Sequence, residues 1–407
     1  MRTLWLVGGG AEAVPGIQKA KAMGLHVVVS DGNPDAPGLA LANDRVVVST
    51  YDVRGTVAAA HRYHRQVRPV DGVLCVASDV PLTVAEVAAE LALPGIPVES
   101  ARLASDKLAM KEHFSARGIP IPWFQAVKTP AEVRTAARAR GYPLVVKPVD
   151  SRGARGVVRL TESVDPGWAY QQAAAHSRAG RVMVEEYLSG PQISTESILI
   201  EGVGVTPGFS DRNYEFLDRF FPYFIENGGE QPSRLSQADR ERVSRLAEEA
   251  GRVIGVQTGV VKGDLVLTPE GPKVIEVATR LSGGWFCTDQ IPLATGVDLV
   301  GAAIRLALGD PVSPEELRPE PRRGVAIRYF FPPAGVVETI DGVEKAQALP
   351  YVHRVGVFVR KGDRLDDPTN HTQRAGFVIT TGETREEAVE RAVHVVNNVI
   401  VIRTQPP

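Results

Sequence analysis

The stretch VVKPVDSRGARGV, residues 145–157, stops a β-branched run at Lys147 and Pro148 and opens a loop with two glycines and two arginines. Ten lysines stand against 36 arginines in the chain, so a lysine at a strand end is informative. A compact ammonium and a planar guanidinium are not interchangeable. The strand fixes the stem of Lys147, and its head can reach an anion. Gly153 and Gly156 free the loop backbone to bring N–H groups to phosphate oxygens, and Arg152 and Arg155 add positive charge. No Gly-Lys dipeptide occurs, so the Walker-type phosphate loop is excluded. A surface lysine beside a mobile loop is the plainer reading of this fragment taken alone.

Two further pieces bear on it. VMVEEYLSG, 182–190, reads as a strand breaking into an acidic, aromatic hinge. Backbone groups of such a hinge can read an adenine edge, and a carboxylate just past it, Glu196, can bind ribose hydroxyls. An exposed acidic strand end accounts for the pair Glu185–Glu186 equally well. Asp264 and Glu276 sit in two strands joined by a turn around TPEG. A three-residue loop with Gly271 in the left-handed conformation pairs Thr268 with Pro272 and sets Asp264 opposite Glu276. Two facing carboxylates repel, and a divalent metal removes the conflict. A two-residue loop would place them on opposite faces, so the reading depends on register. Arg280 could then reach a reacting carboxylate or an oxyanion.

These residues need elements to position them. The chain has 407 residues, 43% hydrophobic and 23% charged, with a net charge of −2. That is ordinary globular composition with no field to attract nucleic acid or anionic membrane. Two cysteines form no disulfide framework, and a reducing cytoplasm is the expected location. No apolar run approaches the ~20 residues of a membrane helix. Residues 1–100 alternate strand and helix, which predicts a doubly wound, mostly parallel sheet. Residues 101–310 read as an α+β domain, with one helical segment ending at Gly118 and a polar, aromatic-rich loop at 210–232. A proline-rich, charged stretch near 310–324 reads as a linker. Residues 311–407 read as a small α+β domain closing on one helix, TREEAVERAVHVVNNVIVI. HRYHRQVR, 61–68, reads as a solvated helix face, and no acidic or sulfur ligand accompanies His61 and His64 to hold a metal.

At this point the chain resembles a family. Lys107 in SDKLAMKE, Lys147, the loop DSRGARGV, the hinge VEEYLSGPQISTES and GDLVLTPEGPKVIEVATRLSGG follow the order and spacing of the ATP-grasp superfamily. IPLATGVDLV is similar to the tail of that domain in biotin carboxylase and carbamoyl phosphate synthetase. The N-terminal VGGG…VVVSDGNPDAPG looks like the preceding domain of purine-biosynthetic members. The C-terminal GVVETIDGVEKAQALPYV…GDRLDDPTNHTQRAGFVITTGETREEA looks like the final domain of L-amino acid ligases. The implied fold is a Rossmann-like α/β domain (1–100), an α+β ATP-grasp domain (101–310) and a small α+β C-terminal domain (311–407).

The resemblance implies roles. Lys107 and Lys147 would contact ATP phosphates. The loop with Ser151, Gly153, Arg155 and Gly156 would close over them. Glu185, Glu186 and Leu188 would hold adenine. Asp264 and Glu276 would carry Mg²⁺, or Mn²⁺ in its place, and Arg280 would steady an acyl-phosphate and the tetrahedral intermediate. Gln192 stands where many members have a ribose-binding acid, and Ala278 where many have a third metal ligand, asparagine. Ser282, Gly283 and Gly284 should offer room and N–H groups on the acceptor side, with Trp285 and Phe286 shaping a pocket or packing in the core. Arg212 or Arg219 could pair with a substrate carboxylate. The implied reaction joins a small-molecule carboxylate to an amine at the cost of ATP, and a homodimer is the usual assembly. A purine-biosynthetic or carboxylating member is the nearest alternative. From another class, GGGAEA at 8–13 with Asp31 formally fits a dinucleotide fingerprint of an NAD(P)-dependent oxidoreductase. Glu12, where pyrophosphate should sit, argues against it.

Overall fold

The computed structural model describes residues 1–405. The chain forms two compact units, neither continuous in sequence: Met1–Ile121, Ile193–Phe209 and Leu235–Glu320 make the first, and Pro122–Gln192, Ser210–Arg234 and the chain from Pro321 onward make the second.

In the first unit, strands Thr3–Val7, His26–Asp31, Asp44–Val47 and Gly72–Leu74 form a four-stranded sheet ordered third, second, first, fourth. All its pairings are parallel, as the strand–helix alternation predicts. Thr3–Val7 is buried at every residue, which suits a strand covered on both faces. Helix Leu299–Ala307 returns from far along the sequence to pack on helix Val14–Ala22 and strand Gly72–Leu74. Leu4, Leu6 and Val29 therefore share one core with Ile198, Val260, Leu281 and Ile304. A second sheet in this unit sets Gly271–Ala278, Gly259–Thr268, Gln192–Ile200 and the part of Val203–Arg212 up to residue 209 side by side. Helix Gln237–Val253 packs on the first two of these strands.

The single helical segment expected before Gly118 is two helices, Val98–Ser105 and Lys107–Ser115. Asp106 separates them. Its backbone is extended, and its carboxylate accepts from the N–H groups of Leu108 and Ala109, both at 3.0 Å. Such a cap stabilises the new helix by about 1 kcal/mol, and it fixes Lys107 as the first residue of that helix.

In the second unit, Phe124–Val127, Val182–Glu186, Leu144–Pro148 and Val158–Leu160 form an antiparallel sheet in that order. Its core joins Val146, Val158 and Val184 to Val133 and Ala169 of the helices Pro130–Arg140 and Pro166–Ala175. Strands Gly229–Gln231, Gly324–Tyr329, Gly376–Gly382 and Val352–Val357 pair antiparallel, and helix Arg385–His394 packs on the first three. The closing helix is shorter than the sequence reading has it. It ends at His394, a π-helical turn spans Val395–Val399, and Val401–Gln405 pairs as a strand with Gly335–Asp341. The β-branched Val401, Ile402 and Thr404 lose side-chain freedom in a helix and fit a pleated strand. The proline-rich stretch is also ordered: Pro314–Leu317 is a short 3₁₀ helix with a capping box from Ser313, and Leu317 is buried. Among the described residues no helix is long and apolar enough to cross a membrane.

Candidate functional site

The hairpin at TPEG sets the central geometry. The connection is the two-residue loop, because Thr268 pairs with Gly271, not with Pro272. Alone, that register would separate the two acids onto opposite faces. A β-bulge restores them: Leu265 pairs with Val274 but Asp264 pairs with Glu276, so Ile275 is the extra residue. The turn is thus corrected, and the facing acids are reached by another route. Gly271 has φ 130° and a virtual Cβ 2.9 Å from Arg242, which fits a glycine there.

Each acid has a cation beside it. Glu276 lies 3.1 Å from Lys107 Nζ. Asp264 pairs with Lys262, and the Ser194 hydroxyl donates to it at 3.0 Å. Ser194 and Glu196 share one face of strand Gln192–Ile200, two residues apart. Among the described residues no group of three His, Cys, Asp or Glu could hold a metal ion, and Ala278 supplies no ligand. The pair fits a hard divalent cation, whose remaining ligands would have to be supplied by phosphate oxygens and water.

Past the strand, Arg280 Nε donates to Asp79 at 3.0 Å. Burial opposes its charge, but the Asp79 carboxylate outweighs burial and holds the guanidinium firmly protonated. Glu196 corrects the ribose reading. It is 0% exposed, and the Ser282 N–H (2.8 Å) and the Ser282 hydroxyl bond its two oxygens, so it has no face for a sugar. Burial pushes its carboxyl up to about 7 against those hydrogen bonds. The expectation for the acceptor amides also changes. The Ser282 N–H is engaged by Glu196, and the Gly284 N–H donates to Glu12 at 2.6 Å. Neither is open to substrate. Gly283 gives closeness instead, because a Cβ there would stand 2.5 Å from Glu12. Trp285 and Phe286 are buried, and Phe286 belongs to the main core of this unit. Burial raises the Cys287 thiol well above its usual range, so no ready thiolate lies here.

In the second unit, Lys147 lies inside strand Leu144–Pro148 and pairs with Glu185 at 2.5 Å, both side chains about 5% exposed or less. Glu186 accepts from the Trp123 N–H at 3.2 Å, and Leu188 is buried. Gln192 opens the strand that carries Ser194 and Glu196. In the glycine loop Gly153, Ala154 and Gly156 all have φ near +60 to +70°, the arrangement that turns successive N–H groups toward one side. Ser151 and Arg155 lie within it. Asp150 anchors its start by accepting from Ser177 (2.7 Å) and the Ala179 N–H (3.0 Å). The His371 N–H donates to the Gly153 carbonyl at 2.9 Å. Arg212 already pairs with Glu226 at 2.5 Å, and Arg219 lies over Phe220, 4.7 Å from its centroid.

Sequence reasoning missed Asp79, Lys262 and Ser194. Ser194 was legible as the i−2 neighbour of Glu196. Asp79 was not, because 201 residues separate it from Arg280. The dinucleotide fingerprint has other uses in this fold. Asp31 accepts from the Gly9 N–H at 2.7 Å, and Glu12 holds Gly284.

Known proteins resemble this chain in sequence and in fold. A family model of the ATP-grasp domain matches residues 104–284, and one of the L-amino acid ligase C-terminal domain 2 matches residues 328–403. An uncharacterized protein of Sinorhizobium fredii is 27% identical over 392 residues, covering 93% of this chain and 78% of that protein. Carnosine synthase 1 of Gallus gallus is 28% identical over 414 residues, covering 92% of this chain but only 43% of the synthase. The crystal structure of an L-amino acid ligase from Bacillus licheniformis shares the fold, with a TM-score of 0.83 at 23% identity, covering 100% of this chain and 99% of that one. The chain thus carries an ATP-grasp domain over residues 104–284 and a C-terminal domain of the L-amino acid ligase type over residues 328–403.

Proposed function

We propose that this protein is an ATP-dependent carboxylate–amine ligase acting on amino acids or other small carboxylic acids. The carboxylate attacks the γ-phosphorus of ATP, giving an acyl-phosphate and ADP. The amine nitrogen then attacks the activated carbonyl and gives up a proton as the C–N bond forms, while the C–O bond breaks and its electron pair leaves with inorganic phosphate. The observation that carries this reading is the pairing of Asp264 with Glu276 across neighbouring strands, with Lys107 on one acid and Arg280 four residues beyond.

Phosphoryl transfer spreads negative charge over the transferring group, and catalysis is mostly positioning and charge stabilisation. Asp264 and Glu276 would hold Mg²⁺, which supplies Lewis-acid stabilisation of phosphate oxygens. Lys107 and Lys147 add ammonium groups, and the loop at 150–156 offers backbone N–H groups to phosphate. Glu185, Glu186 and Leu188 are proposed for adenine, and Arg280 for the oxyanion of the tetrahedral intermediate. Arg212, already paired with Glu226, would take a substrate carboxylate only by exchanging that partner. The match to an L-amino acid ligase C-terminal domain supports amino acid substrates.

The test is a phosphate-release screen over pairs of L-amino acids and over small carboxylates with amines, bicarbonate included, with Glu276→Ala as the blank. Turnover that needs both a carboxylate and an amine supports the reading. Turnover with bicarbonate alone supports the carboxylating branch, and no stimulation by any pair counts against ligation.

A further inference from the structure

Open parallel sheets bind ligands at the carboxyl ends of their strands where the strand order reverses. Here that point lies between Thr3–Val7 and Gly72–Leu74, and the loops 8–13 and 75–80 leave from it. The chain itself fills the position. Val76 and Leu281 form a parallel bridge, and the Ala77 N–H donates to the Leu281 carbonyl at 3.2 Å. Leu281 is 0% exposed and packs in one core with Leu4, Leu6 and Val76. Glu12, from the first loop, accepts from the Gly284 N–H at 2.6 Å, and Asp79, from the second, accepts from Arg280 Nε at 3.0 Å. Ala77 and Trp285, at the edges of this contact, have φ of 59° and 53°. Left-handed backbone at a non-glycine residue costs roughly 1–3 kcal/mol and persists only where its surroundings impose it.

We infer that the ligand crevice of the N-terminal sheet has become a mount for Arg280, with Asp79 as the positioning residue that aims its guanidinium. An arginine side chain carries about 2 kcal/mol of rotamer entropy. The bond at Nε and a weaker one from Nη1 to the Leu281 carbonyl at 3.4 Å fix its direction. Nη2 takes part in neither of these bonds and is the nitrogen aimed, on this inference, at an oxygen of the reacting centre. This inference rests on the proposed role of Arg280 in ligation.

The experiment is a double-mutant cycle, Asp79→Asn with Arg280→Ala, read as phosphate release with the amino acid pair that wild type turns over fastest. Arg280→Ala alone should lower kcat at least ~10²-fold, the scale of one lost oxyanion donor. Asp79→Asn alone should lower kcat roughly 10- to 100-fold, since slight misplacement of a catalytic group costs that much. The KM for ATP and the thermal shift given by Mg·ATP should stay at wild-type values. Placed in the Arg280→Ala background, Asp79→Asn should add less than about 2-fold. Glu12→Gln, a milder change in the same mount, should show the same non-additivity with a smaller loss and serves if Asp79→Asn fails to fold. Wild-type kcat in Asp79→Asn, or a full additive loss, overturns the inference while leaving the ligase reading intact. Wild-type kcat in Arg280→Ala overturns the role of Arg280 and the inference with it.

Discussion

Two regions of this protein gather buried carboxylates, and they treat them in opposite ways. In the second unit Glu230 bonds both Arg328 and Arg385, while Asp211 bonds Arg385 as well. Burial would raise the Glu230 carboxyl, but the two guanidinium groups outweigh burial and hold it below its ordinary value. In the first unit Asp264 faces Glu276, and the buried Glu196 takes its hydrogen bonds from neutral Ser282 groups. Its carboxyl is pushed up to about 7. Acids matched by arginine forks complete a scaffold. Acids set against each other, with lysines at their edges, leave charge that a cation and a polyphosphate can use.

The largest expected effect tests the scaffold. Arg328→Ala leaves Glu230 with part of its charge uncompensated in a buried place, which should cost about 3–5 kcal/mol of stability by urea unfolding. A loss below about 1 kcal/mol would show the arginine forks to be ornamental. Next comes Glu276→Ala, which should lower phosphate release by at least ~10²-fold while unfolding stability moves by about 1 kcal/mol or less. A large stability loss with retained turnover would make the two regions alike.

The two buried acids should also differ in the sign of their pH dependence. The native state holds a proton on Glu196 up to about 7, whereas an unfolded glutamate releases it near its ordinary value. Between those two values the native state binds more protons, so this group lowers stability as pH rises. Glu196→Gln should remove a fall of about 2–3 kcal/mol between pH 5 and pH 8. Glu230 runs the other way. Its contribution is present above its ordinary pKa and is lost as pH falls through the depressed value. Glu230→Gln should therefore flatten the acid limb and leave the region above neutrality unchanged in slope. Equal and parallel pH profiles for the two variants would erase the contrast.

Much of this arrangement was legible in residue order. The strand–helix alternation of residues 1–100 predicts the parallel sheet, and the glycines at 153 and 156 mark the loop; the facing acids were expected from a turn that does not form. The failures have physical causes. The turn at 268–271 is one residue tighter than the glycine position suggested, and the bulge at Ile275, which leaves no mark in composition, compensates for it. Asp106 looks like one more polar residue in a helical run, yet its carboxylate caps a second helix. Glu196 reads as a ribose-binding carboxylate past a hinge, because nothing local shows that Ser282, 86 residues later, closes over it. The arginine forks at Glu230 join residues 98 and 155 positions apart, beyond the reach of any periodicity.

The central claim is that Asp264 and Glu276 together bind a divalent cation on a nucleotide. It is tested most directly by thermal unfolding of wild type and of the Asp264→Asn, Glu276→Gln double variant with ATP plus Mg²⁺ and with ATP plus EDTA. Wild type should gain clearly more stability with the metal present, and the double variant should gain the same small amount in both conditions. A magnesium-dependent gain that survives in the double variant would contradict the account.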